Sequence, residues 1–173
     1  MFYAISGING DYEAYKRALK KLKFQNLDDI KEEDIMNEEA VISTLEGEDV
    51  LYVLGNIIGA GGGSMKILQD MMSRDNVIAV VGENEYKITQ ALKALNDHIQ
   101  STGEVPPQML VDKITSMLGE ELSGAVEEFL QLDDEEREDV IEYIDEISEE
   151  AFLEVMMAVS YTHLRAHETL SDL

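Results

Sequence analysis

Residues 50–64 read VLYVLGNIIGAGGGS, an apolar run followed at once by a glycine-rich stretch. The run Val50 to Leu54 is continuous rather than alternating, which predicts a strand covered on both faces. The glycines that follow predict a loop in which the backbone can take positive φ angles and approach a ligand closely. A helix, Ser64 to Met72, is predicted directly after these glycines. This stretch therefore indicates one strand, loop and helix unit of an α/β fold.

Two further apolar runs repeat this arrangement. Phe2 to Ile5 and Val77 to Val81 are also short and continuous, and each is followed by a loop that contains glycine. A helix with Asp11 as its cap is predicted after the first run, and a third helix, Tyr86 to Ile99, after the last. Strands that alternate with helices predict a parallel, right-handed β-α-β sheet. The loops should then converge at one edge of that sheet, where ligands bind in such folds.

The rest of the chain divides by composition. Residues 25–48 are an acidic insertion with a short predicted helix at Glu38 to Leu45. From residue 101 only helical patterns follow, which predicts an α/β core over 1–100 and an acidic helical extension over 101–159. The predicted helices of that extension are Met109 to Leu118, Leu122 to Leu130, Asp133 to Ile147 and Glu149 to Val159. Residues 160–169 read SYTHLRAHET and resemble a translated sequencing adapter, so we expect 160–173 to be a non-native tail.

Charge and composition exclude several classes of function. The net charge is −24, with 37 acidic and 13 basic residues, which argues against nucleic acid and against anionic membranes as partners. The chain has no cysteine, and therefore no disulfide or thiolate zinc site. No apolar run is long enough for a membrane span, so we expect a cytoplasmic protein. The acidic run Asp133 to Asp139 could dock a basic protein partner, although a solvated helix face is the commoner meaning of such a run.

The loops after the three strands read Gly7-Ile8-Asn9-Gly10, Gly55 to Gly61 and Gly82-Glu83-Asn84-Glu85. These stretches resemble D-x-H-G, G-D-x-x-D-R-G and G-N-H-E, the motifs that calcineurin-like metallophosphoesterases carry after successive strands. The resemblance is to the branch of the protein serine/threonine phosphatases. The resemblance covers most of residues 1–100. It implies half of a two-sheet sandwich, in which a strand edge left exposed could drive self-association.

The resemblance also implies which positions would carry the chemistry. Family members hold two divalent metals, which clamp the phosphate and activate a water. The matching metal positions are Gly7, Asn9, Asn56 and Glu83, and the matching catalytic positions are Gly59, Ala60 and Asn84. None of them keeps the side chain of the family. Glycine and alanine supply no ligand, and asparagine is no general acid near neutral pH. We therefore expect an inactive or crippled relative that needs no cofactor.

Three alternatives stay open. Asn56 and Glu83, with Asn9 and Asn84 nearby, could keep a weak metal site and residual phosphoesterase activity. The stretch Gly59 to Ser64 could instead bind phosphate or a nucleotide without metal, at the start of a helix. The chain could also be a protein-binding module.

Two kinds of side chain are candidates for binding but have a commoner structural role. The methionines would line a groove in a protein-binding module, but we expect them to fill the core. They are Met109, Met117, Met156 and Met157. Among the histidines, His98 should be a surface residue of a helix, and His163 and His167 of the tail are poor ligand candidates.

Overall fold

The computed structural model describes residues 1–31, 33 and 37–148. The predicted helix Glu149 to Val159 and the tail 160–173 lie outside the described residues. The same holds for Met156, Met157, His163 and His167.

A parallel sheet of three strands organises the fold. Its strands are β1 (Phe2–Ile5), β2 (Val50–Leu54) and β3 (Val77–Val80), in the order β1-β2-β3. Tyr3 is paired with Leu51, and Leu51 with Val77. The predicted parallel arrangement is confirmed, although β3 ends one residue before the predicted Val81.

The helices whose bounds lie within the described residues accompany the sheet. They are α1 (Tyr12–Lys21), α2 (Glu38–Leu45), α3 (Ser64–Met72), α4 (Glu83–Thr102), α5 (Gln108–Leu118), α6 (Glu120–Gln131) and α7 (134–148). A 3-10 turn, Leu27–Asp29, lies between α1 and α2. Asp11 caps α1 as predicted, because its side chain accepts a hydrogen bond of 2.9 Å from the backbone N–H of Ala14.

Helix α4 begins earlier than the sequence pattern predicted. The pattern placed its start at Tyr86, whereas the helix starts at Glu83. The third family-like motif therefore forms the first turn of a helix rather than a free loop, and Asn84 and Glu85 have helical geometry.

The sheet has one buried and one open face in the described part of the chain. Leu51, Val53 and Val77 are buried on one side, whereas Phe2 and Ile78 are exposed on the other. Within the described residues, the predicted cover is therefore present on one face of the sheet only. A run of four or five apolar residues shows that both faces are apolar, but it does not show how many layers pack against them.

The helices that follow α4 share one apolar core with the sheet. Val111 of α5, Phe129 of α6 and Ile144 of α7 belong to the same buried cluster as Leu51 and Val53. Their burial fits the predicted helical patterns of the acidic extension, whose apolar sides face inward.

The methionines of α5 do not fill this core. Met109 and Met117 are 82% and 79% exposed, so the expectation that they pack inside is wrong for these two. Val111, two residues beyond Met109, is buried instead. The buried stripe of a helix is set by its angular position rather than by side-chain type.

The acidic run from Asp133 begins α7. Asp133 accepts a hydrogen bond from the backbone N–H of Glu136, and the Glu136 side chain accepts one from the N–H of Asp133. These reciprocal bonds form a capping box, so part of the run has a structural role. None of the described helices combines the length and apolar character that crossing a bilayer requires.

Candidate functional site

The glycine-containing loops meet at the carboxyl edge of the sheet, as predicted. The loop after β1 bonds to the loop after β2 through the backbone: Asn9 N–H donates to the Asn56 carbonyl at 2.7 Å. Gly10 N–H donates to the Ile57 carbonyl at 2.8 Å, and Gly61 N–H donates to the Asn9 carbonyl, also at 2.8 Å. The two loops therefore form one hydrogen-bonded layer.

Glycine is required where these backbones touch. A Cβ atom on Gly61 would lie 2.4 Å from the backbone nitrogen of Asp11. On Gly82 it would lie 2.9 Å from the Cα of Gly55, which belongs to the neighbouring loop. Both distances are far inside van der Waals contact, so any side chain at Gly61 or Gly82 would push the loops apart.

Glu85 holds the second and third loops together. One carboxylate oxygen accepts hydrogen bonds from the backbone N–H groups of Ile57 at 2.7 Å and Ile58 at 2.8 Å. The other accepts one from Gly82 N–H at 2.8 Å. The side chain is fully buried. A buried carboxylate with three charge-assisted bonds to backbone is a strong local constraint.

The residues that the resemblance matches to metal ligands in the first two loops have backbone conformations typical of turns. Gly7, Asn9 and Asn56 have φ angles of 72°, 51° and 48°, all in the left-handed region. Asparagine is one of the few residues with a side chain that is enriched there. Asn9 and Asn56 are exposed, and the Asn9 amide donates to the carbonyl of Gly7 at 3.3 Å.

The side chains of Glu83 and Asn84, in the third loop, bond to different partners. Glu83 is exposed and forms an ion pair of 2.5 Å with Lys87. The hydrogen bond and positive charge of Lys87 hold the pKa of Glu83 below its usual value. The Asn84 amide donates to the carbonyl of Ile58 at 3.1 Å, so it braces the second loop.

The remaining matched positions are Gly59 and Ala60. Gly59 is buried against Asn9, since a Cβ there would lie 2.8 Å from the backbone of that residue. Ala60 is exposed, and its methyl group offers no hydrogen bond to a phosphate. His98, on α4, lies about 22 Å along the helix from Glu83 at the usual rise of 1.5 Å per residue.

These donors do not fit a two-metal centre. Such centres hold hard cations with carboxylate and imidazole groups. The loops offer instead the amides of Asn9 and Asn56 and the carboxylate of Glu83, which is paired with Lys87. Among the described residues, no group of His, Cys, Asp or Glu side chains has an arrangement that could hold a metal.

The start of α3, the other candidate for phosphate binding, already receives a carboxylate. Glu128 of α6 accepts a hydrogen bond of 2.9 Å from Met65 N–H. Ser64 bonds to the nitrogen and the carbonyl of Gly59. Partial burial raises the pKa of Glu128, and hydrogen bonds from the backbone of Met65 and Ser64 oppose that rise. An anion at this helix start would have to displace Glu128 or bind beside it.

A buried polar network lies at the end of α3, away from these loops, and sequence reasoning missed it. The Arg74 guanidinium donates two hydrogen bonds to the Asp70 carboxylate, at 2.7 and 2.8 Å. Tyr15 donates to the same carboxylate at 2.6 Å, and Arg74 also donates to the carbonyl of Gln25. The i, i+4 spacing of Asp70 and Arg74 indicates a pair, but nothing in the sequence indicates its burial.

Burial and the charge of Asp70 both shift the pKa values of Tyr15 and Arg74. Burial, together with the negative charge of Asp70, raises the pKa of Tyr15 well above its usual value. Burial opposes the charge on Arg74, but the hydrogen bond and charge of Asp70 outweigh it, and the pKa of Arg74 is raised. Both partners of Asp70 therefore keep their protons at neutral pH. The network joins α1, α3 and the segment after α1.

A comparison with models of protein families found no match, and comparisons with curated proteins and with solved structures found none either.

Proposed function

We propose that this chain is a catalytically inactive relative of the calcineurin-like metallophosphoesterases. One observation carries the proposal. The motif residues that survive, among them Gly61, Gly82 and Glu85, are those that hold the loops against one another. The positions at which the family places its chemistry have become backbone-supporting or exposed. A scaffold kept without its reactive groups is the pattern of a pseudoenzyme.

The chemistry of phosphate ester hydrolysis supports this proposal. The family reaction needs metal ligands, an acid that protonates the leaving group, and a cation that grips the phosphate. Asn84 is neutral and donates to a backbone carbonyl, and Ala60 has no charge. Glu83 has the one carboxylate among the matched positions, and it contacts Lys87.

The metal-free phosphate or nucleotide binder has less support. The backbone N–H of Met65 that would face a phosphate bonds to Glu128, whose negative charge would repel it. A residual metal site from Asn56 and Glu83 is the remaining route to phosphoesterase activity.

A protein-binding module is a second candidate, and one observation favours it. Val105, Met109 and Met117 are exposed at and along α5. Methionine side chains adapt to varied partners and recur on promiscuous binding surfaces. An inactive scaffold that recruits another protein would combine both proposals, and the strong negative charge of the chain favours a basic partner.

A thermal melt with and without Mn²⁺ tests the metal part of the proposal. A ligand at about 100 times its dissociation constant adds about 2.7 kcal/mol to stability, which a melt resolves. We expect about 1 mM Mn²⁺ to shift the midpoint no more than Ca²⁺ does, since both then bind only diffusely to acidic surface. A shift specific to Mn²⁺ that Asn56→Ala removes would contradict the proposal and support a residual metal site.

A further inference from the structure

The open face of the sheet carries a continuous apolar surface. Its side chains are Phe2, Ala4, Tyr52, Leu54, Ile78 and Val80, and we call this set the open face. Phe2, Leu54 and Ile78 are 75%, 47% and 36% exposed, and the rings of Phe2 and Tyr52 lie 6.4 Å apart. Parallel sheets occur almost only with both faces covered. Exposed apolar patches of this kind mark a surface that packs against something.

The described chain ends beside this face. Tyr143, Glu146 and Ile147, in the last described turns of α7, line a hollow of about 290 Å³ together with Val77–Ala79 of β3. Ile78 belongs both to this hollow and to the open face. The last described turns of α7 therefore lie at the β3 side of the sheet, at the border of the uncovered surface.

The residues that follow have the composition that such a surface needs. Residues 149–159 read EEAFLEVMMAV, and from Ala151 to Val159 every residue except Glu154 is apolar. Strands lie about 4.8 Å apart, so the distance from β3 to β1 is about 10 Å. Eleven residues span about 16 Å even as a helix, which is enough to cross the sheet.

We propose that residues 151–159 pack over the open face and form the second covering layer of the sheet. The segment is covalently held next to its site, so its effective concentration there is high. A second copy of the chain is a poorer occupant, because two molecules that each carry a net charge of −24 repel one another. This proposal does not depend on the proposed lack of catalytic activity. Either proposal can fail without the other.

The lack of cysteine allows a direct test by thiol labelling. Ile78→Cys places one thiol on the open face, and Glu83→Cys places one on the exposed start of α4 as a reference. In the otherwise unchanged full chain, we expect a maleimide to label the Ile78→Cys thiol roughly tenfold more slowly than the reference, or slower, because only local opening exposes it.

A full-chain variant identifies what covers the face. Phe152→Asp with Met156→Asp should bring the labelling rate of Ile78→Cys close to that of the reference, whereas the matched pair Leu164→Asp with Leu170→Asp should not. Circular dichroism confirms that each variant remains folded. Fast labelling of the Ile78→Cys thiol in the chain without the aspartates would overturn the proposal. Protection that survives both aspartates, or that grows with protein concentration, would also overturn it and would indicate another occupant, such as a second copy.

Discussion

Glu85→Ala is expected to lower the free energy of unfolding by about 3–5 kcal/mol, one of the largest losses from a single substitution here. The reason is geometric. The Glu85 carboxylate receives the N–H groups of Ile57, Ile58 and Gly82. Alanine leaves these donors without a partner in a buried place. Urea denaturation followed by circular dichroism measures the change.

Glu83→Ala is the matched control, two residues away in the same turn. Its carboxylate is exposed and contacts only the side chain of Lys87 among the described ion pairs. An exposed pair of this kind contributes little to stability, so this variant should unfold at nearly the same urea concentration as the parent. Equal effects of Glu83→Ala and Glu85→Ala would mean that Glu85 does not hold the loops together.

Asp70→Ala is expected to cost about 3–5 kcal/mol as well, because it leaves the buried Arg74 guanidinium without its counter-charge. Both side chains are almost fully buried, and their contact is bidentate. The same denaturation experiment measures the loss.

Two further variants separate the effect of the unpaired charge on stability from the effect of lost packing. Tyr15→Phe removes one hydrogen bond to Asp70 but keeps the ion pair, so it should cost only about 1.5–3 kcal/mol. Replacing Asp70 and Arg74 together, by leucine and methionine, should recover much of the loss, since no unpaired charge stays buried. A double variant as unstable as Asp70→Ala alone would show that packing, rather than the unpaired charge, causes the loss.

The sequence was most informative about local order. Three apolar runs, each followed by a glycine loop, predicted the strands β1 to β3, their parallel arrangement and the meeting of the loops. It was least informative about how many layers pack against the sheet. The run Val50 to Leu54 has the same letters whether one or two faces are covered, so the open face had no sequence signal. The exposed Met109 and Met117 were missed because composition does not fix which side of a helix faces inward.

The same limit applies to the candidate site. The sequence pointed to the loops and to Glu85, but not to the bonds that this carboxylate accepts. Glu128, which bonds to the start of α3, comes from another helix, and sequence spacing does not predict such a contact. The resemblance makes Asn9 and Asn56 replacements for metal ligands. Their positive φ angles indicate that they also suit the turns that they occupy, which only the backbone geometry reveals.

Turnover of an aryl phosphate in the presence of Mn²⁺ decides whether the chain is catalytically inactive. The full chain would be compared with a variant that carries Asn56→Ala and Asn84→Ala, with both shown to be folded. We expect the two proteins to release the aryl alcohol at the same rate, equal to that of the buffer with Mn²⁺ alone. Metal-dependent turnover by the full chain that the variant loses would contradict this expectation, and would mean that these loops still form a phosphoesterase site.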